Sequence, residues 1–277
     1  MSSECPRISL RISPIFSERT GKTPLSRQAA SSSYPSAQLT QYAGQDFMPK
    51  LKAHILPRIK EMMHQEASVS GEYLCPPQAG LSAIQGQNTD YNSIFFKSDR
   101  MYRHHLARFN YTTYDVRRSQ DVINPATSHC NIMLLANNAD SDGDSIHPFL
   151  YARVLGIYHV NVIYTGEGSL DYTARRVEFL WVRWFVYDSN RSLEWADLKL
   201  DPIRFPSMAD KEAFGFVDPR EVLRGCHIVP AFASGRARVD GVGLSGLAGD
   251  AQDWSRYRVN RWVQSHSPLI LILIFEL

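Results

Sequence analysis

The densest chemical signal lies between residues 100 and 118, where Arg100, Arg103, His104, His105, Arg108, Arg117 and Arg118 are interleaved with Tyr102, Phe109, Tyr111 and Tyr114. Cationic side chains contact phosphates and aromatic faces stack on bases or sugars, so this mixture suits a nucleic-acid surface. Arg175 and Arg176 add a basic pair at the entrance of a strand. The residues assigned to nucleic-acid contact are therefore Arg100, Arg103, His104, Arg108, Tyr111, Arg117, Arg118, Arg175 and Arg176. A plainer reading of the stretch is a solvated sheet face whose rings belong to the core, with Arg117 and Arg118 paired to Asp115 and Asp121.

A second constellation is aromatic and comprises Tyr151, Trp181, Trp184, Phe185, Tyr187, Phe214 and Phe216. Rings near strand ends can enclose a methylated lysine through cation–π attraction, and Tyr151, Trp181, Trp184 and Tyr187 are the residues that could build such a cage. A small barrel needs most of its large rings for filling, which weighs against the cage.

Other motifs carry less. Gly241, Gly243 and Gly246 match dinucleotide-binding spacing, but no strand precedes them and no helix follows, so residues 235 to 250 read as a flexible linker. Asn138, Asp140, Asp142 and Gly143 begin like a calcium loop, yet Phe149 stands where a bidentate glutamate is required. Adjacent pairs such as His104 with His105, or Cys226 with His227, point to opposite faces of a strand and cannot chelate together. Cys226 beside His159 or His227 would need a third, orienting group to act as a nucleophile, and reads as a buried thiol. Glu178 and Asp171 with Asp121 or Asp115 could assemble a metal-dependent nuclease only if the fold gathers them. No catalytic residue, metal or cofactor is expected.

These side chains sit in a chain of 277 residues, 44% apolar, with 30 basic against 28 acidic groups and a net charge of +2. That supports a core, argues against wholesale disorder, and leaves any charged partner to a local patch. Four cysteines, Cys5, Cys75, Cys130 and Cys226, are scattered without a Cys-x-x-Cys pair, as in a reducing compartment. The longest apolar run, Leu269 to Phe275, is far short of the roughly 20 residues of a membrane span, and no secretory leader is visible. The expectation is an intracellular, soluble chain with a nuclear location, no membrane partner, and sequons at Asn110 and Asn190 that arise by chance.

Residues 1 to 45 lack periodicity and read as a disordered tail. Phe47, Met48, Leu51, Ile55, Ile59, Met62 and Met63 recur at helical steps, which predicts a helix over 46 to 67, kinked at Pro57. A linker over 68 to 91 precedes a domain over 92 to 234. Within it the residues predict strands on both sides of a hairpin turn at Ser98-Asp99, a polar connection through "RRSQDVINP", and strands over 131 to 135, 149 to 164, "RRVEFLWVRWFVY" and 222 to 229. Residues 251 to 263 return as a last strand, and 264 to 277 form an apolar tail. Many strands, short turns and one helix predict a mainly β fold, a small, partly open β-barrel.

The blocks "FMPKLKAHILPRI", "LARFNYTTYDVRRSQDVINP", "HPFLYARVLGIYHVNV", "RRVEFLWVRWF", "AFGFVDPREVLRGCHIVPAFA" and "DWSRYRVNRWV" resemble, in order and over residues 46 to 263, the C-terminal region of fungal transposon-encoded proteins of the Plavaka and related KDZ groups. More remotely, "YARVLGIYHV", "FLWVRWF" and "GFVDPREVLRGCHIVP" are similar to the bromo-adjacent-homology module, a chromatin-binding barrel, or to a Src-homology-type barrel. The resemblance implies an accessory module that binds DNA or chromatin and serves a transposase encoded elsewhere. It lacks the upstream ribonuclease-H-like core and its acidic residues, and "QSHSPLILILIFEL" departs from the family's last segment. Histone-tail recognition, a nuclease, and a decayed transposon fragment are the alternatives that these residues leave open.

Overall fold

The computed structural model describes residues 33–35, 47–70, 90–112, 118–136, 147–166, 169, 171–188, 200–246 and 248–260. Its described residues divide into two compact units, one within 28–103 and 158–179, the other within 104–157 and from 180 to 260.

In the first unit, helix α1 (Phe47–Ser70) buries a single stripe of Phe47, Leu51, Ile55, Ile59, Met63 and Ala67, the four-residue repeat of one helical face. Pro57 lies inside the helix on its exposed side, so the carbonyl it deprives of a partner faces water. Arg58 Nη1 donates to the carbonyl of Glu178 at 2.8 Å, and Arg175 Nη2 meets Glu66 at 2.6 Å, which ties the helix to neighbouring strand residues. Strand β1 (Ser33–Pro35) pairs antiparallel with β2 (Ile94–His104). Residues 33–35 of the tail expected to lack structure thus form a strand, and the remainder of that tail lies outside the described residues. Ser98 and Asp99 have φ of 60° and 50°, yet they lie inside the continuous β2. The expected hairpin turn is therefore an irregularity within one strand, because small polar residues that tolerate the left-handed region suit bulges as well as turns. Of the expected linker, residues 71–89 lie outside the described residues.

The second unit is layered. Its central sheet runs β11 (Val222–Gly225), β5 (Asn131–Leu135) and residues 149–157 of β6 (Phe149–Tyr164), with β10 (Phe214–Val217) pairing residues 180–183 of β7 (Arg175–Trp184). Alternate residues face opposite ways. Ile132, Leu134, Ala152, Val154, Leu180, Val182 and Val222 enter one core, which is closed by Ala107, Phe109 and Ile123 of the hairpin β3 (Ala107–Thr112) and β4 (Arg118–Ile123). Met133, Phe149, Tyr151 and Phe185 enter the other, closed by Ile203, Tyr257 and Val259 of a second sheet. That sheet has the order β12 (His227–Pro230), β13 (Tyr257–Asn260), β9 (Leu200–Arg204), β8 (Val186–Tyr187).

The fold is mainly β with an N-terminal helix, as expected, but its sheets do not close into a barrel. β6 and β7 are apolar on both faces, so within this unit they are sandwiched between two layers. Two further expectations change. "RSQDVI" is strand β4, not a loop, because its alternating residues Asp121 and Ile123 have an inner face to fill. The single strand over 222 to 229 is two: β11 pairs β5, then at Cys226 the chain crosses to the second sheet as β12 and pairs β13. Chains commonly change sheets at such a bend.

Candidate functional site

The hairpin β3–β4 has Arg108 opposite Val122, Asn110 opposite Gln120 and Thr112 opposite Arg118. Its inner face carries Ala107, Phe109 and Ile123, all buried, so the outer face must present Arg108, Asn110, Arg118, Gln120 and Val122. Arg118, Gln120 and Val122 are exposed, and Arg108 and Asn110 are half-buried. Gln120 Nε2 donates to Asn110 Oδ1 across the strands at 2.7 Å. Arg108 Nε is buried without a hydrogen-bond partner among the described residues.

The one acid in these strands is turned away. Asp121 Oδ2 accepts from the Gly225 amide at 3.0 Å and from Arg224 Nε at 3.3 Å. Arg224 Nη2 donates to the Tyr111 hydroxyl at 2.7 Å, and its guanidinium stacks 3.9 Å from the Tyr111 ring centroid. The described side chains of the outer face are two arginines, two carboxamides and a valine, with no carboxylate among them.

The remaining basic assignments are dispersed. Arg117 lies outside the described residues. His104 is half-buried in the layered unit, whereas Arg100, exposed, and Arg103, half-buried, belong to the helix-bearing unit. There Tyr102 stacks on His159 with ring centroids 4.7 Å apart. Arg175 is held by Glu66 and by Asp171 at 3.0 Å, and Arg176 pairs with Glu178 at 3.2 Å. Tyr111 is engaged by Arg224 on the inner side.

The aromatic set does not converge as a group. Trp181 is buried and stacks on Phe214, while Trp184, an odd number of residues away on the same strand, packs against the opposite core. A Cβ at Gly215 would come within 2.5 Å of the Trp184 indole nitrogen, so glycine is what admits that ring. Tyr151 and Tyr187 do approach, with ring centroids 6.1 Å apart, but around His147 and Asp201. Tyr151 Oη donates to Asp201 Oδ2 at 2.9 Å, His147 Nε2 meets the same oxygen at 3.3 Å, and the Tyr187 hydroxyl contacts His147 Nδ1. Carboxylate, imidazole and phenol thus form a chain of contacts that orients the His147 ring. With Tyr151 1% exposed, that ring is core rather than the wall of an open cage.

A buried charge cluster went unread in the sequence. Arg153 Nη1 donates to Asp253 Oδ1 at 2.6 Å and Arg183 Nη1 to Asp253 Oδ2 at 2.5 Å, with the Tyr257 hydroxyl on Oδ1 at 3.0 Å. The Phe185 amide bonds to the Tyr151 carbonyl, which aligns β7 with β6 and sets the two arginines side by side. Both guanidiniums also lie over Phe205, at 3.9 Å for Arg183 and 4.5 Å for Arg153. Burial works against the Arg153 charge, but Asp253 and Tyr257 outweigh it and hold its pKa above the ordinary value. Burial also pushes up the Tyr257 phenol.

The glycine-rich segment is an ordered loop in its described residues. The amides of Leu244 and Ser245 point at an anion, as in a phosphate cradle, but the anion is the chain's own Asp250, at 2.8 and 2.9 Å. Gly243 is required there, since a Cβ would meet the Ala251 amide nitrogen at 2.9 Å. Burial pushes the Cys226 thiol well up, with Cys130 and Asp121 adding to it, so no thiolate is prepared for attack. No group of three or more His, Cys, Asp or Glu side chains gathers among the described residues, and no described helix is long and apolar enough to cross a membrane. The core of the calcium-like loop and Asp115 lie outside the described residues.

No family model, curated protein or solved structure matches the chain.

Proposed function

We propose that this chain is a non-catalytic DNA-binding module of transposon origin that lays the outer face of its β3–β4 ribbon into the major groove of duplex DNA. The observation that carries the proposal is the composition of that face: Arg108 and Arg118 for phosphates, Asn110 and Gln120 for base edges, and no carboxylate. A two-stranded ribbon is one of the two elements that the major groove of B-DNA admits. The resemblance of residues 46 to 263 to transposon-encoded proteins supports a nuclear setting, a transposase encoded elsewhere as partner, and a remote kinship with bromo-adjacent-homology modules. The chain titrated with labelled duplex DNA at several salt concentrations tests the reading. Affinity should fall linearly in log salt, and the double variant Arg108→Ala, Arg118→Ala should flatten that slope by about 2 while remaining folded. Salt-insensitive binding, or none, would overturn it.

A further inference from the structure

We infer that the ribbon is a sequence reader whose specificity resides in the Gln120–Asn110 pair, which recognises adenine in the major groove. The inference rests on the DNA-binding reading above and goes beyond it, because phosphate contacts supply affinity without sequence information. A carboxamide reads adenine with two bonds: its N–H donates to N7 and its C=O accepts from the N6 amino group. An isolated glutamine on a strand surface has to lose rotamer freedom to present both groups. Here one hydrogen of Gln120 Nε2 is already donated to Asn110 Oδ1 at 2.7 Å, which holds the amide while leaving its other N–H and Oε1 available. Both side chains stand on the outer face, in the middle of the ribbon, where a groove would be deepest.

The neighbours fit the same partner. Val122, exposed on this face, is two residues along β4 from Gln120, roughly 7 Å away or about two base-pair steps. An apolar side chain at that distance meets a thymine methyl group. Arg118, two residues in the other direction, and Arg108, across from Val122, flank the reading pair with charge. The occupant is B-form DNA, since the deep, narrow major groove of A-form RNA does not admit such a ribbon.

The test uses the full chain and a randomised duplex library, followed by affinity measurements on the selected site and on versions of it. The selected sites should share an adenine, and replacing it with 7-deazaadenine, which lacks the N7 acceptor, should weaken binding by about 5- to 150-fold. Gln120→Ala and Asn110→Ala should each lose the preference for that adenine, so that the selected site and an unrelated duplex bind with similar affinity. Both changes are at the ribbon surface, and a thermal transition unchanged from the parent confirms the fold. Salt-dependent binding without sequence preference, or a preference that survives Gln120→Ala, would overturn the inference and leave DNA binding standing. No binding to any duplex would overturn both.

Discussion

Asp121 and Arg224 meet across two strands that belong to different layers, with Oδ2 of the one 3.3 Å from Nε of the other. The pair fastens the β3–β4 ribbon to β11 of the central sheet, on the inner face to which strand alternation assigns Asp121, the only carboxylate of the two strands. Alternation thus decides which face of the ribbon lacks a carboxylate, and the ion pair uses the one on the other face as an anchor.

Asp121→Ala should cost about 1–3 kcal/mol in urea unfolding, because the Gly225 amide and Arg224 lose an acceptor at a site largely shielded from water. Asp121→Asn, which keeps one acceptor, should cost less. DNA affinity should fall with Asp121→Ala even under conditions where the protein stays folded, since the ribbon is held less firmly. Wild-type affinity in a folded Asp121→Ala protein would show that the anchor does not matter to binding.

Asp253 is the single carboxylate between two guanidiniums, and the side chains of Arg183 and Asp253 are each 5% exposed. Asp253→Ala leaves two buried like charges side by side and should destabilise the layered unit by about 3–5 kcal/mol. Arg183→Met with Asp253 retained should cost less, since Arg153 still neutralises the carboxylate. The two variants, compared by denaturant midpoint at constant slope, give the ranking.

Asp250 supplies a dependence on acid. Burial pushes its carboxyl up, but the amides of Leu244 and Ser245, its own amide and Arg238 prevail and hold its pKa below 3.8. A carboxyl depressed in the folded state stabilises above its unfolded value, and that contribution is lost as pH falls through the lower, folded value. Stability should therefore decline as pH drops below about 4, and Asp250→Asn should flatten this part of the profile while lowering stability at neutral pH. An acid limb identical in parent and variant would rule out Asp250 as its cause.

Local pattern alone made much of this fold legible. The apolar positions of residues 47 to 67 repeat every four residues, and a helix with that buried stripe exists. Strands at 131–135 and 149–164 have the bounds that alternation and flanking turns indicate, because long runs of β-branched and aromatic residues leave few other ways to bury themselves. The identity of β4 was not legible, since Arg118, Ser119 and Gln120 look like a loop until a partner strand and an inner face exist for Asp121 and Ile123.

The chain's composition and alternation by themselves determined a β-rich protein with one amphipathic helix, and they concentrated basic and aromatic residues around 100 to 118. Only the tertiary structure decided which of those residues face outward. Tyr111 turned inward to Arg224, Arg175 and Arg176 were taken up by carboxylates, and Arg108 and Arg118 were left outside with Asn110 and Gln120. The same holds for His147, Asp201 and Tyr187, and for Arg153, Arg183 and Asp253, whose partners lie tens of residues apart. Local spacing fixes which side of a strand a residue occupies, but a charge's partner depends on which strands become neighbours, and that is set by the burial of surfaces far apart in the chain.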